Sequence, residues 1–382
     1  MCFVRILISF ERDLMPNLRF TRGCQKPIGG EFGITGLKRK AFCDPWYNSL
    51  GPVVQRGSGR DALRSLIRGW PDRSVVVASA FTCDAVISAL TAVKGLRIQL
   101  IDIGPNLYPD VSTLRREVEN CRKSAIVLVG SLYGTEYPAD LVDLLSYFQS
   151  EGIPVVEDRT HNIFSTKHIA SDGWFASARK WVPSPGLGIY GSSSTPVRPH
   201  SLVLGFSFRI LKRYVEMRLL GIFLLWPKVR NRLVSSLRKT DVKLGTGKTI
   251  VGESRFSSPN VDHQQVMNFL RIRQINAETL KDCLHSVPYL NLLNSEVQTS
   301  YFTLTFRCSA YRDELRAYLR DRSIYAPVLW PVPESFEKQF PKTHQVSKSV
   351  LSIPIDQRYS INDMTDIANA IIEFYDQYPS SN

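Results

Sequence analysis

The sequence predicts an α/β protein built on a mostly parallel sheet, and three observations carry that reading. Val75–Ser79 is a continuous β-branched run, as expected of a strand buried on both faces. From about residue 56 onward, segments with helical apolar spacing alternate with further short apolar runs. Strands separated by helix-length connections imply right-handed crossovers and parallel pairing.

The elements follow in order. Gly57-Ser58-Gly59-Arg60 opens a helix expected over Asp61–Gly69, and the Val75–Ser79 strand comes next. Asp84–Val93 is expected as a helix, Ile98–Ile103 as a strand, Val111–Asn120 as a helix and Ala125–Val129 as a strand. Ala139–Gln149 then reads as a helix and Pro154–Glu157 as a strand. After about Pro196 the alternation stops, and residues 201–260, rich in Arg, Leu and Ser, read as bridging helices. Residues 262–285 predict a long helix, Tyr301–Arg307 a strand, Arg312–Arg320 a helix and Ile361–Tyr375 a closing helix, so the last hundred residues read as a small α+β domain.

Composition narrows the function classes. At 382 residues and 43% hydrophobic content, the chain can fill one large and one smaller core. Its formal net charge of +13 is spread along the chain, densest at Arg209–Arg218 and Lys228–Lys248, with no nucleic-acid-binding signature around it. A solvated basic surface, or one that favours anionic substrates, is therefore expected rather than a nucleic-acid partner. The seven cysteines are scattered and never spaced as CxxC, which points to a reducing compartment and to no metal site. The apolar stretch Leu219–Trp226 is far shorter than the roughly 20 residues of a membrane span, so no membrane is expected. The apolar start lacks a small-residue cleavage site, Met15 is a second candidate start, and the cytoplasm is the expected compartment. Gly245-Thr-Gly-Lys248-Thr249 ends like a P-loop, but Val242 stands where the motif requires its first glycine.

Three groups carry chemistry. Gly57-Ser-Gly-Arg60 before a helix leaves backbone N–H groups free at the positive end of the helix dipole, a seat for phosphate. Asp158 follows Pro154-Val-Val-Glu157, which places its carboxylate at the carboxyl end of a strand, where open α/β sheets bind ligands. There it can pair with a protonated pyridine nitrogen, and His161 can pack on the ring or bond its phenolic oxygen. Lys180 sits in Phe175-Ala-Ser-Ala-Arg-Lys180-Trp-Val-Pro, with Arg179 and Trp181 expected to lower its proton affinity. Ser177 is placed to offer a hydroxyl to phosphate, and Gly186-Leu-Gly188 to let backbone approach the same group. Lysine, carboxylate and anion seat together are the parts that hold pyridoxal 5'-phosphate (PLP).

With those residues in place, the chain resembles the DegT/DnrJ/EryC1/StrS family of PLP-dependent aminotransferases, from about Ile28 to Tyr375. The resemblance is carried by Ser58-Gly-Arg-Asp-Ala-Leu63, Ser79-Ala-Phe-Thr-Cys83, Ser131-Leu-Tyr-Gly134, Glu157-Asp-Arg-Thr-His161 and the run around Lys180. Pro327-Val-Leu-Trp330-Pro and Leu351-Ser-Ile-Pro-Ile-Asp-Gln-Arg358-Tyr are similar to a less studied branch. It implies fold type I, with a seven-stranded-type sheet in a large domain and a small C-terminal α+β domain. The implied division is an N-terminal extension and arm at 1–50, a large domain at 51–200, a helical connection at 201–285 and a small domain at 286–382.

The resemblance also implies that Lys180 is the Schiff-base lysine and moves a proton, that Asp158 holds the pyridine nitrogen, and that Gly59, Arg60, Asp61 and Ser177 bind phosphate. Phe81 or Cys83 would lie against the ring. An amino-acid donor, glutamate, and a small-molecule keto acceptor, a nucleotide-linked sugar, are the implied substrates, and a homodimer with shared active sites the implied assembly. Elimination on the same cofactor, or a degenerate binding or regulatory member, are the alternative readings. Ser131 and Arg159 depart from the family's histidine and small residue. The segment by which relatives reach a neighbour's phosphate site is not found.

Overall fold

The structure is a computed structural model that describes residues 52–165, 167–192, 208–222, 226–245, 250–252, 261–293 and 301–377, with positions 28 and 50. The expectations on the N-terminal arm, Met15 and the P-loop-like Thr246–Thr249 lie outside these residues, apart from Ile28 and Leu50.

Seven strands form the large sheet: β1 (Val54–Arg56), β2 (Val75–Ser79), β3 (Arg97–Ile101), β4 (Ala125–Gly130), β5 (Val155–Asp158), β6 (Gly173–Ser177) and β7 (Gly188–Ser192). Their spatial order is β1-β7-β6-β5-β4-β2-β3, parallel from β3 to β6 and antiparallel at β7 and β1. The helices between the parallel strands are α1 (Gly59–Ile67), α2 (Asp84–Thr91), α3 (Val111–Asn120) and α4 (Ala139–Ser150). Val76, Ala78, Ile126, Leu128 and Val156 pack on α1 and α2 on one face. Val75, Val77, Val127, Val129 and Val155 pack on the α3 and α4 side. Alternate residues of each strand are thus buried on opposite faces, which is why these strands read as unbroken apolar runs.

The sequence reading missed β1, β6 and β7. Glycines at 173, 188 and 191 interrupt their apolar pattern, and the residues are there for close packing: a Cβ on Gly188 would lie 2.0 Å from the Ser58 carbonyl oxygen. Helix α1 starts two residues earlier than expected because the Ser58 hydroxyl accepts the Asp61 N–H and caps it.

Helices α5 (Phe208–Ile222) and α6 (Pro227–Val242) pack as a hairpin, and α7 (His263–Leu284) leads on to the second sheet. That sheet is antiparallel, in the order β10-β9-β8, from β8 (Leu290–Leu292), β9 (Leu304–Cys308) and β10 (Val350–Ile353). Between β9 and β10 lie α8 (Arg312–Asp321), α9 (Phe336–Gln339) and α10 (Pro341–Ser349). Helices α7, α8 and α11 (Ile361–Asp376) bury Leu280, Leu319, Ile367 and Ile371 in a core of their own. Among the described residues no helix is long and apolar enough to cross a membrane.

Candidate active site

The site begins at the sheet's switch point. The chain runs from β2 out to β3 and returns to β4 on the other side of β2, so the carboxyl ends of β2 and β4 part there. A narrow cleft opens at that edge, walled by Ser79 of β2, Gly130 of β4 and Asp158 of β5. Phe81, Cys83, His161, Lys180 and Trp330 complete it, so six of the side chains singled out from sequence share one cleft.

Strand alternation sorts the two adjacent acids. Glu157, fully buried, meets Arg159 at 2.6 Å and receives the Tyr137 hydroxyl at 3.3 Å. The departing Arg159 thereby lies over the Trp174 ring and serves Glu157. Asp158 lines the cleft instead. Burial raises its carboxyl above the ordinary range, against the Thr160 hydrogen bonds and the nearby Lys180 amine, which pull it down. A carboxylate in that position is stabilised by a cation or an acidic N–H.

His161 follows in the turn after β5. Its ring stacks on Phe302 at 4.1 Å and on Trp330 at 5.3 Å. Its Nδ1 accepts the Tyr133 backbone N–H at 3.2 Å, which assigns the remaining proton to Nε2. Burial, then the Lys180 charge, pushes its pKa well below the usual value, so the ring is neutral. Tyr133 has a positive φ of 57°, which aims that N–H back at the histidine. Ser131, in place of the family's histidine, gives its hydroxyl to the Thr135 carbonyl.

Lys180 ends a short 3-10 turn, Ala178–Lys180, directly after β6. Its Nζ lies 5.6 Å from the centre of the Phe302 ring. The residues on either side of it are engaged elsewhere. Arg179 is held by Asp241 of α6 at 2.7 Å, so it is not a bare cation beside the amine. Trp181 turns into the core and donates its indole N–H to the Thr160 carbonyl at 2.7 Å.

The expected phosphate seat is partly assembled. Gly59 faces Ser177 so closely that a Cβ would lie 2.8 Å from the serine Cβ, so the α1 N-terminus and that hydroxyl are neighbours. The Ser177 N–H is held by the Thr160 hydroxyl at 3.1 Å. Arg60 contributes only its backbone, because its guanidinium caps the end of α6 at the Asp241 and Leu244 carbonyls, both at 3.0 Å. Asp61 is a correction: its carboxylate accepts the Ser58 hydroxyl at 2.7 Å and lies 3.7 Å from Arg64. Its charge would repel phosphate, and its N–H is donated to the capping Ser58 hydroxyl. Gly186 and Gly188 are another, since they admit the Gly57 and Ser58 carbonyls rather than a cofactor.

On the other side of Lys180 lies a cavity of about 670 Å³ between the two sheets. Arg179, Arg238, Arg273, Arg316, Arg320 and Arg358 line it, against Asp313 and Asp356. Asp356 is bound at 2.6 Å by Arg358, and Asp313 at 2.9 Å by Arg312. Burial lowers Arg273 to about 10, still charged at neutral pH, and the Phe302 carbonyl and Gln357 hold it.

No family model matches the chain. A curated protein of Geobacillus stearothermophilus described as a pleiotropic regulatory protein is 22% identical over 348 residues, 86% of either chain. Among solved structures, the aminotransferase TlmJ of Streptoalloteichus hindustanus superposes with a TM-score of 0.61 at 16% identity, covering 92% of this chain and 99% of that one. A DegT DnrJ EryC1 StrS aminotransferase of Brucella abortus gives 0.60 at 16% identity over 97% and 96%. PseC of Helicobacter pylori, an aminotransferase of pseudoaminic acid biosynthesis, gives 0.61 at 13% identity over 97% and 96%. The chain has the fold of these aminotransferases.

Within this aminotransferase fold, three contributors to the site escaped sequence reading. Thr160 holds Asp158 and Ser177 from one residue. Asp241 reaches the site from α6, where burial opposes its ionisation but Arg179, Arg213, Arg60 and Lys180 outweigh it and hold its carboxyl below the usual range. Phe302 arrives from the second sheet's side, after a gap of more than a hundred residues. Only the Thr160 signal, a hydroxyl two residues past a strand-end acid, was present locally.

Proposed function

We propose that the chain is a PLP-dependent aminotransferase of the DegT/DnrJ/EryC1/StrS type. It takes an amino group from an amino-acid donor, glutamate, and delivers it to an anionic keto acceptor of the nucleotide-linked sugar class. The observation that carries the reading is one cleft, at the switch point of this fold, shared by a buried strand-end carboxylate, a neutral histidine and a lysine amine.

When bound, PLP supplies an electron sink for the substrate carbon. Lys180 would hold it through Nζ, then carry the proton between the substrate carbon and the cofactor. Asp158 would accept the pyridine N–H, answering the cost of its buried carboxylate. The Gly59 and Arg60 N–H groups and the Ser177 hydroxyl would seat the phosphate at the positive end of α1. The free space of the cleft is about 40 Å³, well below the roughly 150 Å³ that accommodates benzene, so the cleft would have to widen to admit the ring. The aromatic walls of the cleft, Phe81 and Trp330, would keep water from the lysine. The guanidinium-lined cavity supports the anionic acceptor, because it reaches Lys180 and carries a cationic surplus. The reading includes a homodimer, supported by the exposed Met267, Ile275 and Ile361.

Added PLP is expected to give the purified protein a visible absorption band that glutamate bleaches, and Lys180→Ala is expected to lack the band. A parent protein that takes up no PLP, or a Lys180→Ala protein with the same spectrum, overturns the reading.

A further inference from the structure

Two buried N–H donors in the cleft have no partner among the described residues. The first is His161 Nε2: its Nδ1 already accepts the Tyr133 N–H, so the neutral ring carries its proton on Nε2, and that atom is buried without a hydrogen bond. The second is Trp330 Nε1, an obligatory donor that is also buried and unpartnered among the described residues. Leaving such a group unsatisfied costs its full desolvation, so buried donors without partners are few in folded proteins. Here the two rings stack on each other at 5.3 Å and 10°, and both wall the cleft that ends at Asp158 and Lys180.

The indole is also held in place. Trp330 stacks on Tyr133 at 6.1 Å and meets the edge of Phe81 at 5.5 Å. The Tyr133 hydroxyl binds the carbonyl of Leu329, and the Trp330 carbonyl accepts the Ser347 hydroxyl at 2.8 Å. Ring and backbone are therefore both fixed, yet the one polar atom of the ring is left over. An apolar aromatic would satisfy the packing without that cost.

We propose that Trp330 is a further binding residue of the site, its indole N–H donating, beside His161 Nε2, to an anionic oxygen of the group bound in the cleft. Two neutral donors close to an ammonium favour an oxyanion over a carbonyl. The oxygen has two chemical sources, the ring oxygen of the cofactor or the carboxylate of the amino-acid substrate. This inference rests on the proposed function, since it takes the cleft as the place of PLP.

The test loads the parent chain and Trp330→Phe with PLP and compares cofactor retention on dialysis and the glutamate dependence of the spectral change. Trp330→Phe keeps the aromatic wall and removes only the donor. Its expected effect is on the order of tenfold or more, the worth of a hydrogen bond to a charged group. Weakened PLP retention assigns the oxygen to the cofactor; normal retention with a raised half-saturating glutamate concentration assigns it to the substrate. Where melting shows that phenylalanine disturbs packing, 3-benzothienylalanine at position 330, an isostere without the N–H, replaces it. A parent that binds PLP, with a well-folded variant unchanged in both measurements, overturns the Trp330 assignment alone. A parent that binds no PLP overturns the proposed function and this inference together.

Discussion

The cleft that ends at Asp158 and the cavity on the other side of Lys180 meet at that lysine and are otherwise built from different materials. The cleft is narrow and aromatic, made by consecutive strand ends of the parallel sheet, with one carboxylate at its base. The cavity is about seventeen times roomier and is walled by arginines from the turn after β6, from α6, α7 and α8, and from the segment after β10. Burial dominates the first, where it raises Asp158 and suppresses the charge of His161. Charge dominates the second, where carboxylates are fewer than guanidinium groups. In such an arrangement chemistry belongs in the dry cleft and recognition in the charged cavity.

The sharpest way to break this contrast is Asp158→Asn. Turnover is expected to fall by roughly a hundredfold or more, measured by the rate of the glutamate-driven spectral change, because the pyridine nitrogen loses its anionic partner. The free chain should respond in the opposite direction. The folded carboxyl is raised above its unfolded value, so the protonated form is the one folding favours, and that contribution is lost as pH rises through the raised value. Asp158→Asn should therefore melt above the parent at neutral and higher pH, with the gap closing in acid. A variant that melts lower at every pH would show that the carboxylate is held by partners rather than strained by burial.

A smaller effect is expected at the cavity. Arg316 and Arg320 are one turn apart on α8 and both line it. Replacing both by alanine should raise KM for the anionic acceptor by about tenfold, with the glutamate half-reaction unchanged. An equal loss in both half-reactions would show that the two pockets are not divided in this way. Smaller again is Gly59→Ala. The added Cβ would meet the Ser177 Cβ at 2.8 Å and its backbone Cα at 3.2 Å and push the helix start from that hydroxyl, so PLP affinity should drop several-fold and the melting temperature should fall as well. Unchanged affinity would place the phosphate elsewhere.

Much of the cleft was legible in the sequence because it is local. Asp158 is the end of an apolar run and Gly59 opens a helix, so each position follows from where a strand stops or a helix starts, while Lys180 was marked by its sequence motif, the strand before it having been missed. Asp61 was misjudged for a related reason: sequence placed it in the right turn, but which partner its carboxylate meets depends on Ser58 and Arg64 around the helix. Arg179 stands beside Lys180 in sequence, yet its charge is answered by Asp241, sixty-two positions later. The cavity was not legible at all. Its arginines lie on five separated segments and show locally only as a diffuse basic excess.

By itself, then, the sequence determined the alternation of strands and helices over the first half of the chain and the strand-end position of Asp158. These depend on the periodicity of neighbouring residues, which the chain carries with it. Tertiary structure decided which charges are neutralised, which N–H groups are left unpaired in the cleft, and that six arginines share one cavity. Those outcomes depend on distance through space and on exclusion of water, and neither is written in the spacing of residues along the chain.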